Sequence, residues 1–177
     1  MTIKLIVLFI TLILSVYFDY KYLKIKNFVV YPAILSGLLI NLIISGTGGL
    51  KDSFFGTIVP FITLFLLYAL RFLGAGDVKL FSAIGAIMGV RFGIYCMTYS
   101  FLFGAFLALI IMIKRKNFVE RFKKLFLYLR DLFILMKFEK YQEFHGEKPG
   151  VFRFSYGILG GAIITLIHQL TIGLYIV

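Results

Sequence analysis

The run FVVYPAILSGLLINLIIS at residues 28–45, the GTGG that follows at 46–49, and the run FFGTIVPFITLFLLYALRFL at 54–73 decide the fold. A membrane-spanning helix needs about 20 mainly apolar residues, with a range of about 17–25. Both runs meet that length, and Pro60 in the second is tolerable in a membrane helix as a kink. Gly46, Thr47, Gly48 and Gly49, with Lys51 and Asp52, read as the turn between them. Working outward, Thr2 to Phe18 is a first, shorter run, followed by a polar stretch from Asp19 to Asn27 that holds Lys21, Lys24 and Lys26. After Gly74-Ala75-Gly76-Asp77 comes a short fourth run, Val78 to Val90, broken by Arg91-Phe92-Gly93. Ile94 to Ile113 makes a fifth and Phe154 to Val177 a sixth. The expected fold is all-α: a single membrane-embedded domain over residues 1–177 with six transmembrane helices.

Composition points the same way without any motif. Of the 177 residues, 61% are hydrophobic, against about 45–50% in an average soluble domain. The mean hydropathy is +0.99. A chain of this size has nowhere to hide so much apolar surface in water. The first run imitates a signal peptide, but it ends in Ser15-Val16-Tyr17-Phe18-Asp19, without the small-x-small cleavage pattern, and is expected to stay as a helix.

The net charge of +11 does not make a nucleic-acid binder. The basic residues sit in the gaps between apolar runs, where they meet anionic lipid headgroups and fix topology. No basic stripe with interleaved aromatics is present. With the N-terminus outside, 16 of the 19 basic residues fall on the cytoplasmic side, and only Lys4, Lys51 and Arg91 fall outside. The opposite orientation inverts that ratio and breaks the positive-inside rule. The cytoplasmic segment 114–153 is basic, and within it Asn117 to Tyr141 places Phe118, Phe122, Leu125, Phe126, Leu129, Leu132, Phe133 and Met136 at steps of three and four. That spacing describes a helix lying in the headgroup plane.

Cys96, the one cysteine, allows no intrachain disulfide and no cysteine zinc cluster, and reads as a small hydrophobe. His168 reads as structural, and His145, in the charged segment, receives no role. Of the eight acidic residues, Asp52, Glu120, Asp131, Glu139, Glu143 and Glu147 have surface explanations. Asp19 and Asp77 differ: one ends the first run, the other opens the fourth, and the topology puts both at the cytoplasmic membrane edge. An aspartate drawn into the apolar zone costs about 2.5–3.5 kcal/mol, so such residues are functional candidates by default. Two carboxylates close together in low dielectric cannot both ionise easily, so one keeps a proton. The charged member then takes a proton from water while the protonated one polarises a carbonyl, a division of labour that needs no metal, thiol or cofactor. Plainer readings exist beside it: Asp77 as the N-cap of the fourth helix, and Asp19 as a helix-end residue balanced by Lys21.

The surroundings of the two aspartates separate these readings. Gly74-Ala75-Gly76-Asp77-Val78-Lys79-Leu80 combines a backbone free to bend tightly with an aspartate and a lysine at a membrane edge. Irregular backbone at that depth is tolerated only where it lines a cavity or is buried in protein. Asp19 is followed by Lys21, Lys24 and then Ile25-Lys26-Asn27. These stretches resemble the type IV prepilin peptidase family, within the wider group of Gly-x-Gly-Asp membrane aspartic proteases. Lys26 departs from the family's Ile-Pro-Asn, and Phe154-Ser155-Tyr156-Gly157-Ile158 resembles the entry to its last helix more loosely.

The resemblance implies an aspartic endopeptidase with Asp19 and Asp77 as the catalytic pair. Gly74, Gly76 and Lys79 would form the active-site loop, and Asn27 would be a substrate-positioning residue. It also implies that the substrate is a pilin-like or archaeal flagellin-like precursor, cut at the cytoplasmic membrane face between a short basic leader and an apolar helix. Lys79 reads equally as a snorkelling membrane-edge lysine. Paired Cys-x-x-Cys motifs, linked to methylation of the new N-terminus in larger members, do not occur, so the compact, protease-only form without methyltransferase activity is expected. Two competing readings are a proton- or ion-coupled transporter using the two aspartates, which the lack of an inverted repeat disfavours, and a presenilin-like protease cutting within the bilayer.

Overall fold

A computed structural model describes residues 2–70, 72–114 and 153–172. The described residues form five helices and no strand: α1 Thr2–Tyr22, α2 Asn27–Ala69, α3 Ala75–Met88, α4 Val90–Lys114 and α5 Phe154–Ile172. Four of them, α1, α2, α4 and α5, are long and apolar enough to cross a membrane. The proposed interfacial helix over residues 117–141 lies outside the described residues, as does most of segment 114–153. Residues 1–104 and 153–177 make one compact unit; of the other, residues 105–152, only the end of α4 is described.

Helix α2 is one assignment but not one rod. At about 1.5 Å per residue its length would reach about 65 Å, roughly twice a bilayer's hydrocarbon core. Gly46 interrupts it with φ 60 and ψ −147, a conformation that a side chain makes costly. Beyond it the chain doubles back until Gly49 lies against the Asn41 carbonyl. The turn expected over residues 46–52 therefore contracts to one glycine, and Lys51 and Asp52 are already helical. Asp52 is not a plain turn residue: its Oδ1 accepts a hydrogen bond from the Val90 N–H at 3.3 Å. It thereby serves one of the donors that the start of α4 leaves free. The break between the fourth and fifth runs likewise falls at Gly89 (φ 94), not at Arg91-Phe92-Gly93, which are helical.

Short α3 is the centre of the compact unit. Val78 and every residue from Leu80 to Ile87 are buried. Both arms of α2 close on it through small and polar residues. Gly56 lies directly on Gly85, and a Cβ on Gly37 would come within 2.7 Å of the Ala86 carbonyl. The Asn41 amide donates to the carbonyls of Ala86 and Ile87 at 3.0 Å each, and the Ser53 hydroxyl donates to the Ala86 carbonyl. A cluster including Leu8, Leu12, Val30, Phe81, Ile84, Phe92 and Ile158 fills the rest.

The outer surface reverses the pattern of a soluble protein. Ile43 is 81% exposed, Phe28 80% and Leu170 71%, while Ser15, Ser53, Ser100 and Thr165 are 0% exposed. Lipid is as apolar as leucine, so helices associate through close contact of small residues and internal hydrogen bonds, and the large side chains turn outward. This is a membrane protein.

Candidate active site

The loop that ends α1 and the loop that opens α3 meet at one end of the bundle. α1 runs four residues past its expected end and keeps Asp19 in its last turn. It stops at Leu23, whose φ of 53 is left-handed; the Leu23 N–H returns to the Asp19 carbonyl at 3.0 Å. The chain then turns over Lys24 and Ile25 and starts α2 at Asn27, with Lys26 extended as its N-cap. The Lys26 ammonium lies 4.1 Å from the Tyr22 ring centre and 5.1 Å from that of Phe18, which fixes the turn against α1.

On the other side, Gly74 in extended conformation caps α3, and its carbonyl accepts the N–H groups of Asp77 and Val78 at 3.1 and 3.3 Å. Asp77 stands in the first turn of the helix and is not its N-cap, which removes the capping role considered from sequence. Gly76 is glycine for a spatial reason: a Cβ there would lie 3.0 Å from the Ile25 Cβ, so the two loops touch where a side chain would part them.

Between the loops lies a cavity of about 810 Å³. One wall is Asp19, Tyr22, Leu23, Lys24, Ile25, Lys26 and Asn27; the other is Gly74, Ala75, Gly76, Asp77 and Lys79. Every residue singled out from sequence as a site residue is on this lining. Asn27 and Lys79 are joined, the Lys79 ammonium donating to Asn27 Oδ1 at 3.0 Å and lying 5.5 Å from the Tyr31 ring centre. Lys79 is thus a tie between the walls, not a freely snorkelling side chain, and Asn27 has a structural partner of its own.

The two carboxylates sit in different surroundings. Asp77, half-buried at the cavity and outside the four spans, is raised from 3.8 to about 6, first by burial and then by the charge of Asp19; a backbone hydrogen bond from Gly74 works the other way. Asp19 is not balanced by Lys21, whose ammonium lies over the Tyr22 ring at 5.4 Å. Its partner is Ser155 on α5, which donates to Asp19 Oδ2 at 2.6 Å. Sequence reasoning assigned Ser155 no role, since nothing local links two residues on the first and last helices. The described residues contain no cluster of three or more His, Cys, Asp or Glu able to hold a metal ion.

At the far reach of α5, His168 packs between the rings of Tyr95 and Tyr99 at 5.5 and 5.4 Å. Cys96 is buried, 3.8 Å from the Ser100 hydroxyl.

No curated protein and no solved structure shows significant similarity to this sequence. A family match does exist, and it extends from within α1 to within α4, taking in both aspartates, both cavity walls and the glycines that let the walls close. Over residues 6–109 the sequence matches the type IV leader peptidase family, and the chain belongs to that family.

Proposed function

We propose that the protein is an aspartic endopeptidase that removes the short basic leader of pilin-like precursors at the cytoplasmic membrane face. One observation carries the reading: Asp19 and Asp77, from separate helices, line one cavity and interact electrostatically. The protonated Asp77 would donate to the scissile carbonyl oxygen while ionised Asp19 takes a proton from the attacking water. The tetrahedral intermediate then collapses as the C–N bond breaks: Asp19 passes the proton taken from water to the leaving amine, and the hydroxyl proton returns to Asp77. The two loops make a slot for an extended backbone, and the apolar helix of the precursor stays in lipid beside the exposed aliphatic surface of α1 and α2.

The finer topology belongs to this proposal. The two arms of α2 would each span the membrane, about 28 and 34 Å long at about 1.5 Å per residue. Short α3 from Val78 onward would be the fourth of six spans, leaving Asp77 at the membrane edge, with the N-terminus outside and the cavity facing the cytoplasm. The basic residues on the cytoplasmic side would meet anionic headgroups. No methyltransferase activity is assigned.

The test is to mix membranes containing the protein with a pilin-like precursor and determine the product's N-terminus by mass spectrometry. One cut at the leader junction, lost in both Asp19→Asn and Asp77→Asn, is expected. Substantial cleavage by either variant refutes the paired-aspartate mechanism. Activity is also expected to survive EDTA and thiol reagents; loss with EDTA would mean a metal enzyme.

A further inference from the structure

Ser155 is 1% exposed and is not among the residues that line the cavity, yet its hydroxyl is bound to one of the two carboxylates inside it. It lies on α5, outside the region that matches the family, and 136 positions from Asp19. The 2.6 Å separation falls in the range of a hydroxyl bonded to a charged carboxylate, about 2.5–2.7 Å, and is shorter than the usual neutral pair. Ser155 is also the second residue of long α5, where the positive end of that helix's dipole lies.

We propose that Ser155 is a positioning residue that holds Asp19 as the water-activating member of the pair and leaves Asp77 to carry the shared proton. This rests on the aspartic-peptidase reading and adds an assignment of roles to it. The geometry distinguishes the two carboxylates. Asp19 accepts a hydrogen bond from a buried side chain that is not on the cavity lining. Among the described residues Asp77 has no side-chain donor: its one helper is backbone, and burial opposes its charge. A hydrogen bond to a carboxylate favours the charged form; removal of water favours the neutral one.

Among the described residues, the other charged or titratable groups around Asp19 do not supply the same asymmetry. From α3 they are Asp77 and Lys79, and Lys79 is engaged by Asn27. From the α1 end and the following turn they are Tyr20, Lys21, Tyr22, Lys24 and Lys26, with Lys21 and Lys26 placed over aromatic rings. From the start of α5 there is Arg153, whose guanidinium lies 4.7 Å from the Tyr20 ring centre. Only Ser155 donates a hydrogen bond to the Asp19 carboxylate among the described residues.

The experiment compares Ser155→Ala, Ser155→Cys and Ser155→Thr with wild type and Asp19→Asn, following precursor cleavage across pH. Cysteine nearly matches serine in volume but is a weak donor, and threonine keeps the hydroxyl. Alanine and cysteine are expected to lower kcat roughly tenfold with KM little changed, from losing a bond to a charged group. The acidic limb of the pH profile should move to higher pH, and threonine should restore both. A cysteine variant with wild-type kcat and an unmoved profile overturns the proposal.

Infrared difference spectra give a readout that needs no turnover. Between Asp77→Asn and Asp77→Asn/Ser155→Ala, a carboxylate band should shift, and the shift should vanish once Asp19→Asn is added. An unchanged band overturns the proposal. An active Asp19→Asn variant is the separate outcome that removes the paired-aspartate reading, and the proposal falls with it.

Discussion

Asp77 shows how one residue's burial becomes a pH dependence. Its carboxyl ionises near 6 in the fold, against 3.8 ordinarily, because burial and the nearby Asp19 charge both favour the neutral form. If Asp77 must hold the proton, kcat/KM in detergent should fall as pH rises through about 6, and a profile flat from pH 5 to 8 would contradict that role. The same shift bears on stability. A carboxyl with a raised folded value contributes stability that is complete below about pH 4 and is lost as pH rises through about 6. Asp77→Asn keeps the shape and cannot ionise, so it should match wild type at pH 4 and melt a few degrees higher at pH 8, while being inactive. Equal Tm values at pH 8 would mean that Asp77 stays hydrated and carries no such penalty. Leu23 is a second residue under tension, left-handed at φ 53 without glycine's freedom. Leu23→Gly should stabilise the protein by about 0.5–1 kcal/mol, checked by thermal unfolding in detergent. A loss of stability would show instead that the half-exposed side chain anchors the turn.

Among the elements, α3 sets what the others must be. Its apolar run was legible as a sequence because nine hydrophobic or small residues in a row need protein or lipid on all sides. Its boundaries were not, because Gly74 and Gly89 end it through backbone conformation and not through any loss of hydrophobicity. The same reason hides the one-residue reversal at Gly46, where four candidate turn residues look alike until one adopts φ 60. Asp19, Asp77 and the Gly74–Lys79 loop were legible as a candidate site because each stands where a membrane helix meets irregular backbone. Ser155 was not legible, since only the fold brings the start of α5 to the end of α1. Close contact of α2 with α3 depends on Gly56 and Gly85 lying face to face. Gly85→Leu should therefore force the helices apart, giving a protein that enters the membrane but elutes from size exclusion as aggregate and cleaves nothing. A monodisperse, active Gly85→Leu variant would mean that the two helices do not pack backbone to backbone.

For the whole molecule, the proposed threading of its inside-out surface through the bilayer turns on Gly46. If α2 crossed once, residues 27 and 69 would emerge on opposite faces, and the Asn27–Lys79 hydrogen bond would have to reach across from one face to the other. With the reversal, both ends of α2 return to the face that carries Asp19 and Asp77, and Lys51 lies near the tip of the hairpin. The excess of basic residues is the ground on which we propose that the aspartate face is cytoplasmic. Single cysteines test this directly once Cys96, which is buried, has been replaced by alanine. Lys51→Cys should react with a membrane-impermeant maleimide in intact cells. Lys24→Cys, on the exposed turn beside the cavity, should react only after the membrane is opened. Labelling of both from the same side would refute the two-span reading of α2 and leave the basic-residue asymmetry without a structural counterpart. Opposite labelling with Lys24→Cys outside would keep the hairpin and invert the molecule, placing the cavity where a cytoplasmic leader could not enter it.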